Sequence, residues 1–265
     1  MGTNKIFAVV NQKGGVGKTT TVINLAASLA LADRTVLVVD MDPQANLTSG
    51  IGLKGGVAAA GTIYEALTAE EVPDIGEFIV STEVDGMSLL PANRDLTGAE
   101  IELVSLARRE SRLRPLLAQA CDRFHYVFID TPPSLGLLTL NALVAADAVL
   151  IPLTCEYFAL EGLAALTATL RHVQAQLNPG LEIAGVLLTM ADQRTKLGQQ
   201  VAGEVREFFR EKVFETMIPR NVRLGEAPSH GLPAILYDVK CKGAVAYVTL
   251  AREFMTVGHA PVAVR

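Results

Sequence analysis

The stretch "KIFAVVNQKGGVGKTTTVINLAASLALA", residues 5–32, constrains the fold more than any other part of the chain. "KIFAVV" reads as a strand, "TTTVINLAASLALA" carries helical periodicity, and Gly14, Gly15 and Gly17 lie between them. A glycine-rich loop that leads from a strand into a helix leaves backbone N–H groups free to face an anion at the helix N-terminus. The standard phosphate-loop pattern is G-x-x-x-x-G-K-[ST]; counting back from Gly17-Lys18-Thr19, its first glycine falls on Gln12. The pattern fails there, yet the working parts remain. Lys18 can set its ammonium on the β- and γ-phosphates of a nucleotide. Thr19 supplies a hydroxyl for Mg2+, and Gly14, Gly15, Val16, Gly17 and Thr20 complete the cradle.

The alternation continues along the chain. "RTVLVVD" hardly alternates in polarity, as a strand buried on both faces should. "MSLLPA", "YVFID", "AVLIPL" and "LEIAGVLLT" read as further strands, with "VFETMIP" as the last. Helical patterns lie between them in "AEIELVSLARRESRLRPLLAQA", "ALEGLAALTATLRHVQAQLN" and "GQQVAGEVREFFREK". Strand then helix, repeated, predicts an α/β fold of the P-loop type, a mostly parallel twisted sheet covered by helices on both faces. Residues 53–83 are less regular, with "GGVAAAG" expected as a loop. No repeat or low-complexity linker divides the 265 residues, so one domain is expected over 1–265, with a core at about 5–255 and a short tail at 256–265.

Composition narrows the class of function. Cys121, Cys155 and Cys241 are far apart with no CxxC pair, as in a cytoplasmic protein with reduced thiols. "IFAVV" is too short for a signal peptide, and no apolar run approaches the ~18 residues of a membrane span; a soluble protein is expected. A net charge of -5 argues against a general nucleic-acid coat, so any DNA contact must use a local basic patch. The four histidines have no metal-ligand spacing.

Two strands end in carboxylates. "VLVVDMDPQANLTSG" carries Asp40 and Asp42, and "YVFIDTPPS" carries Asp130. At the C-terminal edge of a parallel sheet such groups face the ligand crevice, where Asp130 is the natural holder of a Mg2+-bound water. Strand-end capping is the alternative role for all three.

"KGGVGKTTT" resembles the deviant Walker A motif, K-G-G-x-G-K-[ST], of the ParA/MinD ATPase superfamily. The resemblance implies ATP and Mg2+ as ligands and a homodimer that forms with ATP. It makes Lys13 the residue that reaches across the dimer to the nucleotide of the other subunit; the alternative is that Lys13 neutralises its own subunit's phosphates. It makes "YVFIDTPPS" a Walker B followed by a switch, and puts Asp42 in the switch that positions or activates the attacking water. Lys13, Lys18 and Asp42 are then the catalytic set, with Thr19 on the metal directly and Asp42 and Asp130 through water. Asp40 falls to a more structural role. Neither switch shows a catalytic Glu or an arginine finger, so by analogy with GTPases the enzyme should turn over slowly until a partner completes the site.

"DMDPQANLTSG", "DTPPSLGLLTLNAL", "IPLTCEYFALEGL", "GVLLTMADQRTKLGQQV" and "IPRNVRLGEAPSHGLPAILYD" resemble the chromosomal ParA/Soj branch over about residues 5–255, with Ala45 a departure where glycine is frequent. That branch implies a chromosome- or plasmid-partitioning ATPase, cytoplasmic and nucleoid-associated. Its ATP dimer binds nonspecific double-stranded DNA until a ParB-type centromere-binding protein triggers hydrolysis. Arg194 in "ADQRT" and Arg223 in "NVRLGEAP" match the family's DNA-contacting arginines, both expected in loops; Arg220, Lys196, Lys240 and Lys242 would extend the patch. From Arg194 to Arg223 seven Lys/Arg stand against four Glu, opposite in sign to the chain as a whole. "IPRNVRL" resembles the adenine pocket, with Pro219 against the base and Asn221 near its polar edge.

Other branches fit less well. A MinD-like membrane positioner would end in a basic amphipathic helix, whereas this chain ends "REFMTVGHAPVAVR". A nitrogenase-type iron protein needs paired cysteine ligands. Long plasmid forms carry a DNA-reading domain ahead of the loop, which here starts near residue 12. A P-loop enzyme acting on a small substrate remains an alternative. "LARRESRLR", residues 106–114, reads as a solvated helix face or a partner surface.

Overall fold

The computed structural model describes residues 5–53, 58, 60–156, 159–192 and 194–256. In chain order the strands are β1 (Lys5–Val9), β2 (Val36–Asp40), β3 (Val80–Ser81), β4 (Met87–Leu90), β5 (Tyr126–Asp130), β6 (Ala148–Thr154) and β7 (Glu182–Thr189). They form one sheet in the order β3-β4-β2-β5-β1-β6-β7, parallel throughout except where β3 meets β4. β2, β5 and β6 are buried along their whole length, as their unbroken apolar runs require. The register sets Val9 beside Asp130 and Asp130 beside Asp40, so the two carboxylates share one edge of the sheet.

The helices are α1 (Lys18–Ala30), α2 (Asn46–Gly50), α3 (Ile63–Thr68), α4 (Leu96–Glu102), α5 (Leu113–Ala118), α6 (Leu137–Ala145), α7 (Ala159–Gln176), α8 (Lys196–Phe209), α9 (Val222–Glu226), α10 (Ala234–Tyr237) and α11 (Lys242–Thr256). Alternate strand residues feed two cores. Ile6 and Ala8 join the core beneath α5, α6, α7 and α8, while Phe7 and Val9 join the core beneath α1 and α11. In the second core Phe7 meets Phe254 edge-on at 4.9 Å and stacks on Phe128 at 5.5 Å, fixing α11 over the sheet. Among the described residues no helix is long and apolar enough to cross a membrane.

Two expectations need correction. "VFETMIP" is not an eighth strand: Val213 and Pro219 make only isolated bridges to Val186 and Ala191. Between them the N–H groups of Glu215 and Thr216 donate to the Glu253 carboxylate on α11, which draws the middle of the segment off the ladder. The helical pattern over 99–120 is broken into α4, two 3-10 turns and α5. There Arg108 adopts φ 55, and the buried amide of Asn141 accepts from Leu113 N and donates to Arg109 O. In the irregular stretch after Leu53, a Thr62–Glu65 capping box starts α3, and β3 runs antiparallel to β4. Most of "GGVAAAG" lies outside the described residues.

Candidate nucleotide-binding site

The loop from Val10 to Gly17 is held from three sides. Asn11 Nδ2 donates to Pro152 O at the end of β6, and its Oδ1 accepts from Lys13 N. Thr189, the last residue of β7, donates to Val16 O at 2.8 Å. Gly15 and Gly17 adopt φ 73 and 89, a backbone that a side chain would strain, and Gly17 delivers its carbonyl to Thr21 N in the first turn of α1. Val16 is buried and offers the site only its backbone.

Lys18 is 7% exposed, and its ammonium donates to Asn11 O at 3.0 Å and Lys13 O at 3.5 Å. Burial lowers its pKa, and the charges of Asp130 and Asp42 oppose that shift. Thr19 Oγ1 donates to Asp130 Oδ2 at 2.6 Å. The other oxygen of Asp130, Oδ1, is buried without a hydrogen-bond partner among the described residues. Burial, then the neighbouring Asp40, pushes the Asp130 carboxyl well above its usual range. An orphaned carboxylate oxygen beside a threonine hydroxyl is the donor set a hydrated, oxygen-seeking divalent cation requires, so these residues fit Mg2+.

Asp42 lies on the cleft, its Oδ1 accepting from Gln44 N. Asp40 does not. Its Oδ2 accepts from both the N–H and the hydroxyl of Thr48, and Thr48 Oγ1 in turn accepts from Ala92 N. Asp40 therefore ties β2 to α2 and to the residues after β4. Burial raises it to about 6 despite the two Thr48 bonds.

The cleft itself is about 650 Å3, within the usual range for small-molecule sites. Gly14, Gly15, Gly17, Lys18, Thr19, Thr20 and Asp42 form one wall; Leu224, Gly225 and Pro228 form the other. An adjoining pocket of about 290 Å3 shares Gly17 and Thr20 and contains Pro219 and Asn221 between Met190, Ile218, Leu224 and Tyr247. Asn221 caps α9, with Oδ1 accepting from Arg223 N, which orients the amide and leaves its Nδ2 and one Oδ1 lone pair to meet a ligand. Met190 holds φ 48, a strained backbone for a side-chain-bearing residue, at this pocket's edge.

Lys13 stands apart from the other loop residues. Its ammonium is 2.5 Å from Glu156 Oε2 just beyond β6, both side chains are about half exposed, and Lys13 does not line the cleft. The pairing holds the Glu156 carboxyl below its usual range. Arg194 forms a two-pronged pair with Asp192, both contacts at 2.9 Å. Arg223 pairs with Glu226 at 2.6 Å and Asp238 at 3.5 Å, and it sits in the first turn of α9 rather than in a loop. Arg194, Arg220, Lys240 and Lys242 share a groove of about 870 Å3, whereas Arg223 and Lys196 lie outside its lining.

Sequence reasoning missed Thr189, Met190, Glu156 and Tyr247. Thr189 was within reach, since it ends a strand at the same edge as Asp130. Tyr247, whose hydroxyl meets Thr21 Oγ1 at 3.1 Å, is 226 residues away from it and leaves no local signal.

Residues 4–183 match the AAA domain family. Over 251 residues the chain is 56% identical to the chromosome partitioning protein ParA of Myxococcus xanthus, covering 95% of this chain and 88% of that one. It is 53% identical over 255 residues to the sporulation initiation inhibitor protein Soj of Bacillus subtilis, covering 96% and 99%. A crystal structure of cobyrinic acid a,c-diamide synthase from Mycobacterium smegmatis with bound ADP and magnesium superposes with a TM-score of 0.81 at 39% identity, covering 94% and 93%. With a phosphate-loop lysine, a threonine and Asp42 on one cleft and Asp130 bonded to that threonine, and with relatives of this identity along nearly its whole length, the chain belongs to the ParA/Soj family of chromosome-partitioning ATPases.

Proposed function

We propose that the cleft takes ATP with Mg2+, that ATP closes two copies of the chain into a sandwich dimer, and that this dimer binds double-stranded DNA without sequence preference until a ParB-type partner triggers hydrolysis. The observation that carries the reading is the split between the two loop lysines. Lys18 is buried on the cleft with Thr19 and Asp42, with Asp130 behind them on the Thr19 hydroxyl, while Lys13 stands outside it, half exposed and paired with Glu156.

Mg2+ would be held by Thr19 directly and by Asp42 and Asp130 through water, where it neutralises phosphate charge. Lys18 and the N–H groups of the loop compensate the β- and γ-phosphates, and Asp42 orients the attacking water. Pro219 and Asn221 flank the adenine. Lys13 supplies its charge to the nucleotide of the other subunit, so closure of the dimer and occupancy of the cleft become one event. Lys18 and Asp42 are the only charged side chains among the described residues lining the cleft. With neither an arginine nor a glutamate there, slow basal turnover and acceleration by a partner follow.

Nonspecific DNA affinity rises steeply with the number of phosphates neutralised, so a dimer presenting Arg194, Arg223 and the basic groove twice binds where a monomer does not. Occupancy of DNA thereby reports the nucleotide state, which places the protein in the cytoplasm on the nucleoid. The test is size-exclusion chromatography of Asp42→Ala protein with ATP and then with DNA. A stable ATP-dependent dimer that comigrates with DNA is expected; a monomer with ATP, or equal DNA binding with ADP, contradicts the reading.

The 39% identity to a synthase supports a second reading, a P-loop enzyme with a small substrate. The partitioning relatives are more similar, at 53% and 56%. ATP turnover that rises with DNA and partner alone favours partitioning; turnover that requires an added metabolite favours the synthase.

A further inference from the structure

The segment "LARRESRLR" forms neither a plain helix face nor part of the nucleotide cleft. It walls a cavity of about 750 Å3 between α3, α5 and the C-terminal ends of α6 and α7. Helices of parallel crossovers run opposite to their strands, so these ends lie at the N-terminal edge of the sheet, away from Asp130. Arg108, Arg112 and Arg114 line the cavity, and the one lining carboxylate among the described residues, Glu110, is paired with Arg109 at 2.8 Å.

The three arginines differ in commitment. Arg112 donates to Leu67 O at 3.1 Å and to Ala69 O, closing the end of α3. Arg108 and Arg114 are exposed and make no ion pair among the described residues. Their backbone is nevertheless fixed: Arg108 sits at φ 55, its carbonyl accepts from Ser111, and Asn141 pins Arg109 and Leu113 on either side. Two arginines thus line one concavity from a backbone that is already fixed, in a chain of net charge -5.

We propose that this cavity is a binding site for a small polyanion, a phosphorylated or polycarboxylate molecule whose anionic groups pair with Arg108 and Arg114 and whose body rests on Leu116 and Val144. The guanidinium fork matches phosphate and carboxylate oxygens in two-pronged fashion, and the ordered backbone lowers the entropic cost of engaging them. The volume lies within the range of small-molecule sites, and elements on several sides bound it, which favours a small ligand over a protein surface.

Isothermal titration of the full chain, saturated with MgADP so that the phosphate loop is filled, tests this with 3-phosphoglycerate and tricarballylate as probes. One saturable site per chain is expected for at least one probe; the phosphate arm alone identifies a phosphorylated ligand, the other arm a carboxylate one. The double variant Arg108→Ala/Arg114→Ala should lose roughly tenfold or more in probe affinity while binding MgADP unchanged. Absence of saturable binding by both probes at about 10 mM, or undiminished binding by the double variant, overturns the proposal.

Discussion

Lys13 Nζ lies 2.5 Å from Glu156 Oε2, so the side chain proposed to reach a neighbour's nucleotide is tied to a carboxylate of its own subunit. The tie is weak enough to break. An exposed ion pair is worth about 0.2–1 kcal/mol, whereas a triphosphate offers several negative charges in a site that closure dries. Each dimer breaks two such pairs, so Glu156→Gln should shift ATP-dependent dimerisation towards lower protein concentration by no more than about thirtyfold. Sedimentation velocity across a dilution series measures it; loss of the dimer would mean that Glu156 itself contacts the partner.

Thr19→Val keeps the shape of the side chain and removes both the hydroxyl proposed to hold Mg2+ and the donor to Asp130 Oδ2. The variant should bind ADP without metal much as the parent does, and Mg2+ should no longer tighten that binding. Fluorescent-nucleotide titrations with and without Mg2+ read the difference, and Thr19→Ser should restore it. The unpaired Asp130 oxygen should also cost about 1–3 kcal/mol of stability.

Asp40 predicts a pH dependence. Burial raises its folded pKa from 3.8 to about 6, so the folded chain holds this proton more tightly than the unfolded chain does. Stability from this group is greatest below pH 4 and declines as pH climbs from about 4 to about 6, by on the order of 3 kcal/mol. Asp130, shifted in the same direction, adds to the slope. Urea unfolding of Asp40→Asn across that window should show a flatter profile than the parent; parallel profiles would mean that Asp40 is not the group responsible.

In the proposed reading Arg194 and Arg223 would meet DNA in competition with Asp192 and Glu226. Asp192→Asn should raise affinity for DNA in the ATP state, and Arg194→Ala should lower it. For every phosphate that a variant leaves unneutralised, the slope of log affinity against log salt should fall by roughly one. Fluorescence anisotropy on random-sequence duplex at several salt concentrations gives both quantities.

The sheet was legible because β2, β5 and β6 are buried on both faces and so carry unbroken apolar runs. The loop was legible because the left-handed backbone at Gly15 and Gly17 leaves a glycine signature. What long-range contacts decide was not. Glu253 pulls Glu215 and Thr216 out of strand pairing, and Asn141 breaks a helical pattern 28 to 32 residues upstream of it, so neither outcome is written in local periodicity. The cleft shows the same division. Asp42 and Asp130 follow from strand ends, whereas the pairing of Lys13 with Glu156, 143 residues apart, needed the folded chain.

The cross-subunit role of Lys13 is decided by comparing Asp42→Ala with Lys13→Gln/Asp42→Ala by sedimentation velocity in saturating MgATP. A dimer is expected for the first, and for the second a monomer that still binds one ATP per chain. A double variant that dimerises as tightly as Asp42→Ala would contradict that role.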